Sequence, residues 1–202
     1  MTLELRMGAE VDNAMPITLK QFRKTIAGLH VEPTRSELYD IGLKMIASDF
    51  EIEAYLLILA TWNFARFRYV LRCFDLDRFR NTIAAVNPIF QRLAPYSFET
   101  VDFDLLADDI TGIYSKLKPL VEQTGASKIM HFKHPKLFVM WDTAIRSYYH
   151  ISTDCSAQDY FGFLRLMRTT FGHLHWTAGN LSFARAIDLY NFAVVHHESN
   201  DA

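Results

Sequence analysis

Apolar positions recur at helical spacing along almost the whole chain. Leu19, Phe22, Ile26 and Leu29 share one face and predict a first short helix over 17–29. Leu38, Ile41, Met45 and Ile46 form the stripe of a second helix. It opens at Pro33-Thr34-Arg35-Ser36-Glu37, where Thr34 as cap and Glu37 three positions on read as a capping box. From 51 to 67 the chain is apolar around most of the helical circumference, which predicts one central buried helix with Asp49 at its start. Asp75 or Asp77 begins the next, through Phe79, Ile83 and Val86, with Pro88 as a bend or restart. A long helix starts at Asp102 or Asp104 and runs through Ile110, Tyr114 and Leu120, with Pro119 near its end. Thr124-Gly125 reads as its stop. A short helical piece over 127–132 ends before Pro135. Asp142 caps a helix through Ile145 and Tyr149, and two amphipathic helices over 156–171 and 182–196 follow. No stretch alternates as a strand does. The expected fold is all-α, a compact irregular helical array, with a single helical domain over 17–197 (or two packed lobes). The segments 1–16 and 198–202 read as a flexible start and tail.

Composition narrows the function classes. Half of the 202 residues are hydrophobic, and 16 Phe with 9 Tyr make the core largely aromatic. The formal charge of −2 argues against a chain that holds nucleic acid by overall charge, and leaves that role to local clusters of basic residues. Cys73 and Cys155 lie far apart in the sequence, so neither a disulfide framework nor a cluster-binding motif is expected, and no metal or cofactor is called for. The N-terminal stretch lacks the apolar core of a signal peptide. The longest apolar run, 54–60, is too short to span a membrane, so a cytoplasmic protein with no membrane partner is expected.

The most distinctive stretch runs from Thr124 to Arg146. A Gly-containing turn at Gly125 leads into a helix carrying Lys128. A loop with Pro135 follows. An apolar segment then delivers Asp142 to the start of the next helix, with Arg146 one turn on. This order resembles the catalytic core of the helix-hairpin-helix DNA glycosylases, the superfamily of endonuclease III and the 8-oxoguanine glycosylases. The resemblance covers roughly residues 105–150. It implies a helix-hairpin-helix glycosylase-like fold and a duplex DNA partner. It also implies base-excision chemistry, as glycosylase or lyase, on a damaged or deaminated base. On it, Lys128 matches the lysine that attacks the sugar carbon, and Asp142 the aspartate that assists expulsion of the base. Gly125 would belong to the hairpin, Arg146 would position the substrate, and Trp62 and Trp141 would stack on a flipped base.

The residues also carry plainer readings. Lys128 would equally serve as a surface lysine, Asp142 as an N-cap paired with Arg146, and Trp141 as core. Arg66, Arg68 and Arg72 alternate with Phe64, Phe67 and Tyr69. With Lys133 near the turn, they suit a nucleic-acid surface, or else the wet face of amphipathic helices. The pairs His131/His134, His173/His175 and His196/His197 lack a zinc-site spacing and read as hydrogen-bonded or exposed histidines. Asp102, Asp104, Asp108 and Asp109 suit the positive end of the long helix. Beside the enzyme stands an alternative: a non-enzymatic helical module that binds nucleic acid or another protein.

Overall fold

The computed structural model describes residues 16–30, 32–177 and 181–197, and all regular structure among them is helical. The expected start and tail lie outside the described residues, apart from Pro16. The α-helices are α1 (Leu19–Ala27), α2 (Pro33–Ile46), α3 (Glu51–Trp62), α4 (Phe64–Val70), α5 (Leu76–Leu93), α6 (Ala107–Lys133), α7 (Thr143–Tyr148), α8 (Ala157–Phe171) and α9 (Phe183–His197). Among these residues no helix is long and apolar enough to cross a membrane.

Capping chemistry sets most of the starts. The side chains of Asp75, Asp142 and Ser156 each accept a backbone N–H in the first turn of α5, α7 and α8, and Ser156 completes a capping box with Asp159. The expected box at Thr34 does not form. Pro33 occupies the first helical position of α2, where its missing N–H and fixed φ cost nothing, so the helix starts two residues earlier.

Helix α6 runs through the middle and packs on α2, α3, α4, α5 and α8, while α9 packs on α1 and α7. The buried stripe of α6 (Ile110, Ile113, Tyr114, Leu117 and Val121) shares one core with that of α5 (Phe79, Ile83, Val86 and Phe90), and its Tyr114 stacks on Tyr160 of α8 at 4.8 Å. Burying each such side chain contributes about 1.5–3 kcal/mol. At the far end, Phe22 of α1 sits among Phe171, Trp176, Phe183 and Tyr190, with ring centroids 5.1–6.1 Å away.

Three breaks differ from the expected ones. The predicted helix over 51–67 divides at Asn63, whose φ of −134° leaves the helical region, into α3 and α4. Thr124 and Gly125 lie inside α6. The interruption falls three residues earlier, at Glu122, with φ 58° and ψ 177°. Gly125 is there for closeness instead. A Cβ on it would meet the Cβ of Val121 at 2.9 Å and a methyl of Leu59 at 3.0 Å, so α6 lies against α3 at a distance only glycine permits. After α6 the run Leu137 to Trp141 is non-helical yet fully or almost fully buried.

Glu122 holds a backbone conformation that belongs to glycine, at a cost of about 1–3 kcal/mol, while glycine's greater freedom in the unfolded chain costs about 1 kcal/mol. Glu122→Gly is therefore expected to stabilise the fold by about 1 kcal/mol, read as a higher urea midpoint at unchanged slope. A lower midpoint would mean that the Glu122 side chain contributes more than its backbone loses.

Candidate active site

The buried run 137–141 brings two distant parts of the sequence together. Its first two N–H groups, of Leu137 and Phe138, donate to the His134 carbonyl, and side chains satisfy much of the rest. The His131 ring donates from Nδ1 to the Phe138 carbonyl (2.6 Å), and the Tyr160 hydroxyl donates to the Val139 carbonyl (3.0 Å). The Ser127 hydroxyl accepts the Trp141 N–H (3.3 Å), and its proton is shared between the carbonyls of Trp141 (3.1 Å) and Thr124 (3.0 Å). Ser127 is thereby fixed beside Trp141, and so Lys128 beside Asp142.

Lys128 and Asp142 line one cavity of about 900 Å³. Its wall includes Trp62, Asn63 and Arg66 from the α3–α4 break, Arg35 from α2, and Arg185 and Asp188 from α9. The Lys128 ammonium donates to the carbonyl of Trp62. That carbonyl is free because α3 stops at Asn63, and it lies at the negative end of the helix dipole. Burial nevertheless lowers the Lys128 amine from 10.5 to about 8. Asp142 and Asp188 pull against that shift, and Arg35 adds to it. Asp142 is partly buried, and its carboxylate accepts the Ile145 N–H at 2.9 Å.

A second charged layer lies behind. Arg185 pairs with Asp188 one turn on, and both are almost fully buried. The guanidinium lies over the rings of Tyr39 (4.2 Å) and Trp62 (5.4 Å), which stack on each other at 5.7 Å. Burial pushes the Asp188 carboxyl up to about 6, against the pull of Arg185 and Lys128. The Tyr39 hydroxyl donates to Nε2 of His131 at 2.9 Å. Because a carbonyl only accepts, Nδ1 of His131 carries the proton and Nε2 receives it from Tyr39. Burial drives that imidazole down to about 3, so it stays neutral.

Several sequence expectations land elsewhere. Trp141 is 0% exposed and packs against Tyr114, Tyr160 and Phe163, with its indole N–H on the Gln123 carbonyl. It lines the cavity from the core side, with its rings packed against these neighbours. Arg146 is buried away from the cavity. It lies over the Trp141 ring and donates to Thr143, with no ion pair to Asp142. Gly125 is occupied by the α3 contact. Lys133 pairs with Glu51 at 2.6 Å, so its charge is spent within the fold. Of the arginine series, Arg66 reaches the cavity wall, while Arg68 and Arg72 lie exposed around the Tyr69 ring.

Of the other paired histidines, His134 donates to the Leu93 carbonyl and His173 to that of Ile17, while His175 is exposed. The side chains of His196 and His197 lie outside the described ones. Among the described residues, no three His, Cys, Asp or Glu side chains are grouped to hold a metal ion.

Arg35, Asn63, Arg185 and Asp188 are the site residues that sequence reading missed. Asp188 carried a signal. It falls on the apolar stripe of α9, next to Ile187 and one turn from Ala184 and Asn191, all buried. A charge is seldom placed there without a partner.

The lowered amine gives a stability test. Between pH 8 and 10.5 the unfolded chain keeps a proton on Lys128 that the folded chain has released, so this group makes stability rise with pH across that window. Lys128→Met is expected to be more stable than wild type at pH 7, with an advantage that shrinks from pH 8 to 10.5. A difference independent of pH in urea titrations would contradict the burial of the charge.

The chain matches no protein-family model, no curated protein and no solved structure.

Proposed function

We propose that the cavity is the active site of a DNA base-excision enzyme, a glycosylase or lyase that acts on a damaged or deaminated base. The observation that carries this reading is the convergence of Lys128 and Asp142 in one cavity, with the amine held near neutrality by burial. An amine must shed its proton to act as a nucleophile, and ordinary lysine does so far too rarely at pH 7.

The chemistry follows from these groups. The neutral Lys128 amine attacks C1′ of a nucleotide turned out of the duplex. The C1′–base bond breaks, its electron pair leaves with the base, and the base takes up the proton that the Lys128 ammonium had released before the attack. The C1′–O4′ bond then opens as O4′ takes the amine's remaining extra proton, leaving a protonated imine between Lys128 and C1′. Water hydrolyses that imine. Asp142 stabilises the positive charge that builds on the sugar as the base departs. Arg66 at the cavity wall and the exposed Arg68 and Arg72 nearby in sequence supply phosphate contacts, and Phe64, 60% exposed and also lining the cavity, offers an aromatic surface to a base.

A second reading, a nucleic-acid-binding module without catalysis, draws on the exposed Arg68–Tyr69–Arg72 face alone. Borohydride trapping separates the two. Wild type is incubated with duplexes carrying an abasic site or one of several damaged and deaminated bases. A covalent adduct is expected that disappears in Lys128→Ala, while duplex affinity changes by less than about threefold because no phosphate contact is lost. Binding with no adduct and no released base on any duplex would leave the binding module. Neither binding nor reaction would overturn both readings.

A further inference from the structure

In the site just described one buried carboxylate has no assigned task. Asp188 lines the same cavity as Lys128 and Asp142, is 6% exposed, and projects from a different helix. Asp142 accepts an N–H of α7 and is committed to that cap. Asp188 makes no such backbone bond; its partner is Arg185. Arg185 is itself anchored over Tyr39 and Trp62, and the Trp62 carbonyl holds the Lys128 ammonium. Tyr39 is locked in turn by His131. The amine and the Arg185–Asp188 pair are thus mounted on the same residue, Trp62.

The geometry points to Asp188 as the proton acceptor that frees the Lys128 amine, with Asp142 left to face the sugar. This rests on the proposed amine chemistry and adds a residue to it. The proton passes from the Lys128 ammonium to the Asp188 carboxylate, through a bridging water since the two form no direct ion pair. The amine attacks C1′, and the Asp188 carboxyl returns the same proton to the departing base nitrogen. One proton is moved, none is created, and no further reactant is needed.

Two carboxylates in unlike surroundings divide the work, a recurring arrangement in acid–base catalysis. The buried one is raised to about 6 and the amine lowered to about 8, which brings donor and acceptor within reach of each other near neutral pH. The charged and titratable groups that bear on Asp188 are Arg185 on its own helix, Lys128 on α6, Asp142 at the start of α7, Tyr39 on α2 and Tyr160 on α8.

The test compares wild type with Asp188→Asn, which keeps the shape of the side chain and removes the base. Two rates are read: trapping from pH 5 to 9 on the damaged- or deaminated-base duplexes that wild type processes, where a base must depart, and reductive labelling of Lys128 by glyoxylate, located by mass spectrometry. Removing a nearby negative charge makes the ammonium easier to deprotonate, so glyoxylate labelling at pH 7 should rise. If Asp188 accepts the proton, trapping should nevertheless fall at least tenfold, and the wild-type rise in rate near pH 6 should vanish. Trapping that is unchanged or faster in Asp188→Asn would overturn the role and leave Asp188 an electrostatic neighbour. Unchanged labelling would show that the two groups are not coupled, and would overturn it equally. Absence of any adduct in wild type would remove the parent reading, and this role with it. Should Asp188→Asn fail to fold because Arg185 is left without its carboxylate, the double variant Arg185→Gln/Asp188→Asn removes both buried charges and carries the same two measurements.

Discussion

A non-helical run at the centre of a helical protein must find partners for its peptide groups, and the partners of residues 137–141 organise the site. In a helix those groups would be satisfied locally. Here the His134 carbonyl takes the first two N–H groups, and Ser127 and His131 of α6 and Tyr160 of α8 take the carbonyls of Phe138, Val139 and Trp141 and the Trp141 N–H. Leaving any one of them unsatisfied in the core would cost about 1–3 kcal/mol. That penalty holds the register between α6 and the run, and the register sets Lys128 beside Asp142. It also decides the chemistry of His131. With Nδ1 on a carbonyl and Nε2 on the Tyr39 hydroxyl, the ring is neutral and leaves neither nitrogen free for a metal.

The break at Asn63 supplies the other half of the site. Had 51–67 formed one helix, the Trp62 carbonyl would have been bonded within it. The break frees that carbonyl for the Lys128 ammonium and turns α4 so that Phe64 and Arg66 line the cavity. Burial and ligation then oppose each other. Desolvation, with help from Arg35, pushes the amine down, the carboxylates of Asp142 and Asp188 pull it back, and burial prevails by enough to bring it to about 8. The Arg185–Asp188 pair repeats the balance with the opposite sign: burial raises the acid while two cations restrain it.

The helical class, most helix starts, and the order of turn, Lys128, Pro135 loop and Asp142 were legible because each depends on local signals. Apolar spacing, N-cap side chains and the exclusion of helix by proline all act within a few residues. The misplaced features depend on tertiary fit. Gly125 read as the stop, yet the break falls at Glu122 and Gly125 lies in the first turn after it, where Leu59 and Val121 leave no room for a Cβ. No propensity marks Glu122 as the break, since its conformation is unfavourable for any residue but glycine. Lys133 and Arg146 looked available for phosphate or substrate. The first is taken by Glu51; the second is buried over the Trp141 face with Nη2 on Thr143 and Nη1 without a hydrogen-bond partner among the described residues, a placement that only the packing reveals. Asp188 was visible in principle as a charge on an apolar stripe, but its relation to Lys128 spans sixty residues of sequence.

Everything chemical in this site depends on the state of one amine. The most direct measurement is an NMR titration of protein labelled at lysine Cε and Nζ, with the Lys128 signal assigned by its loss in Lys128→Ala. A midpoint near 8, well apart from the other lysines, is the predicted result. A midpoint at the ordinary value of 10.5 would place Lys128 in solvent contact and contradict the buried-amine site.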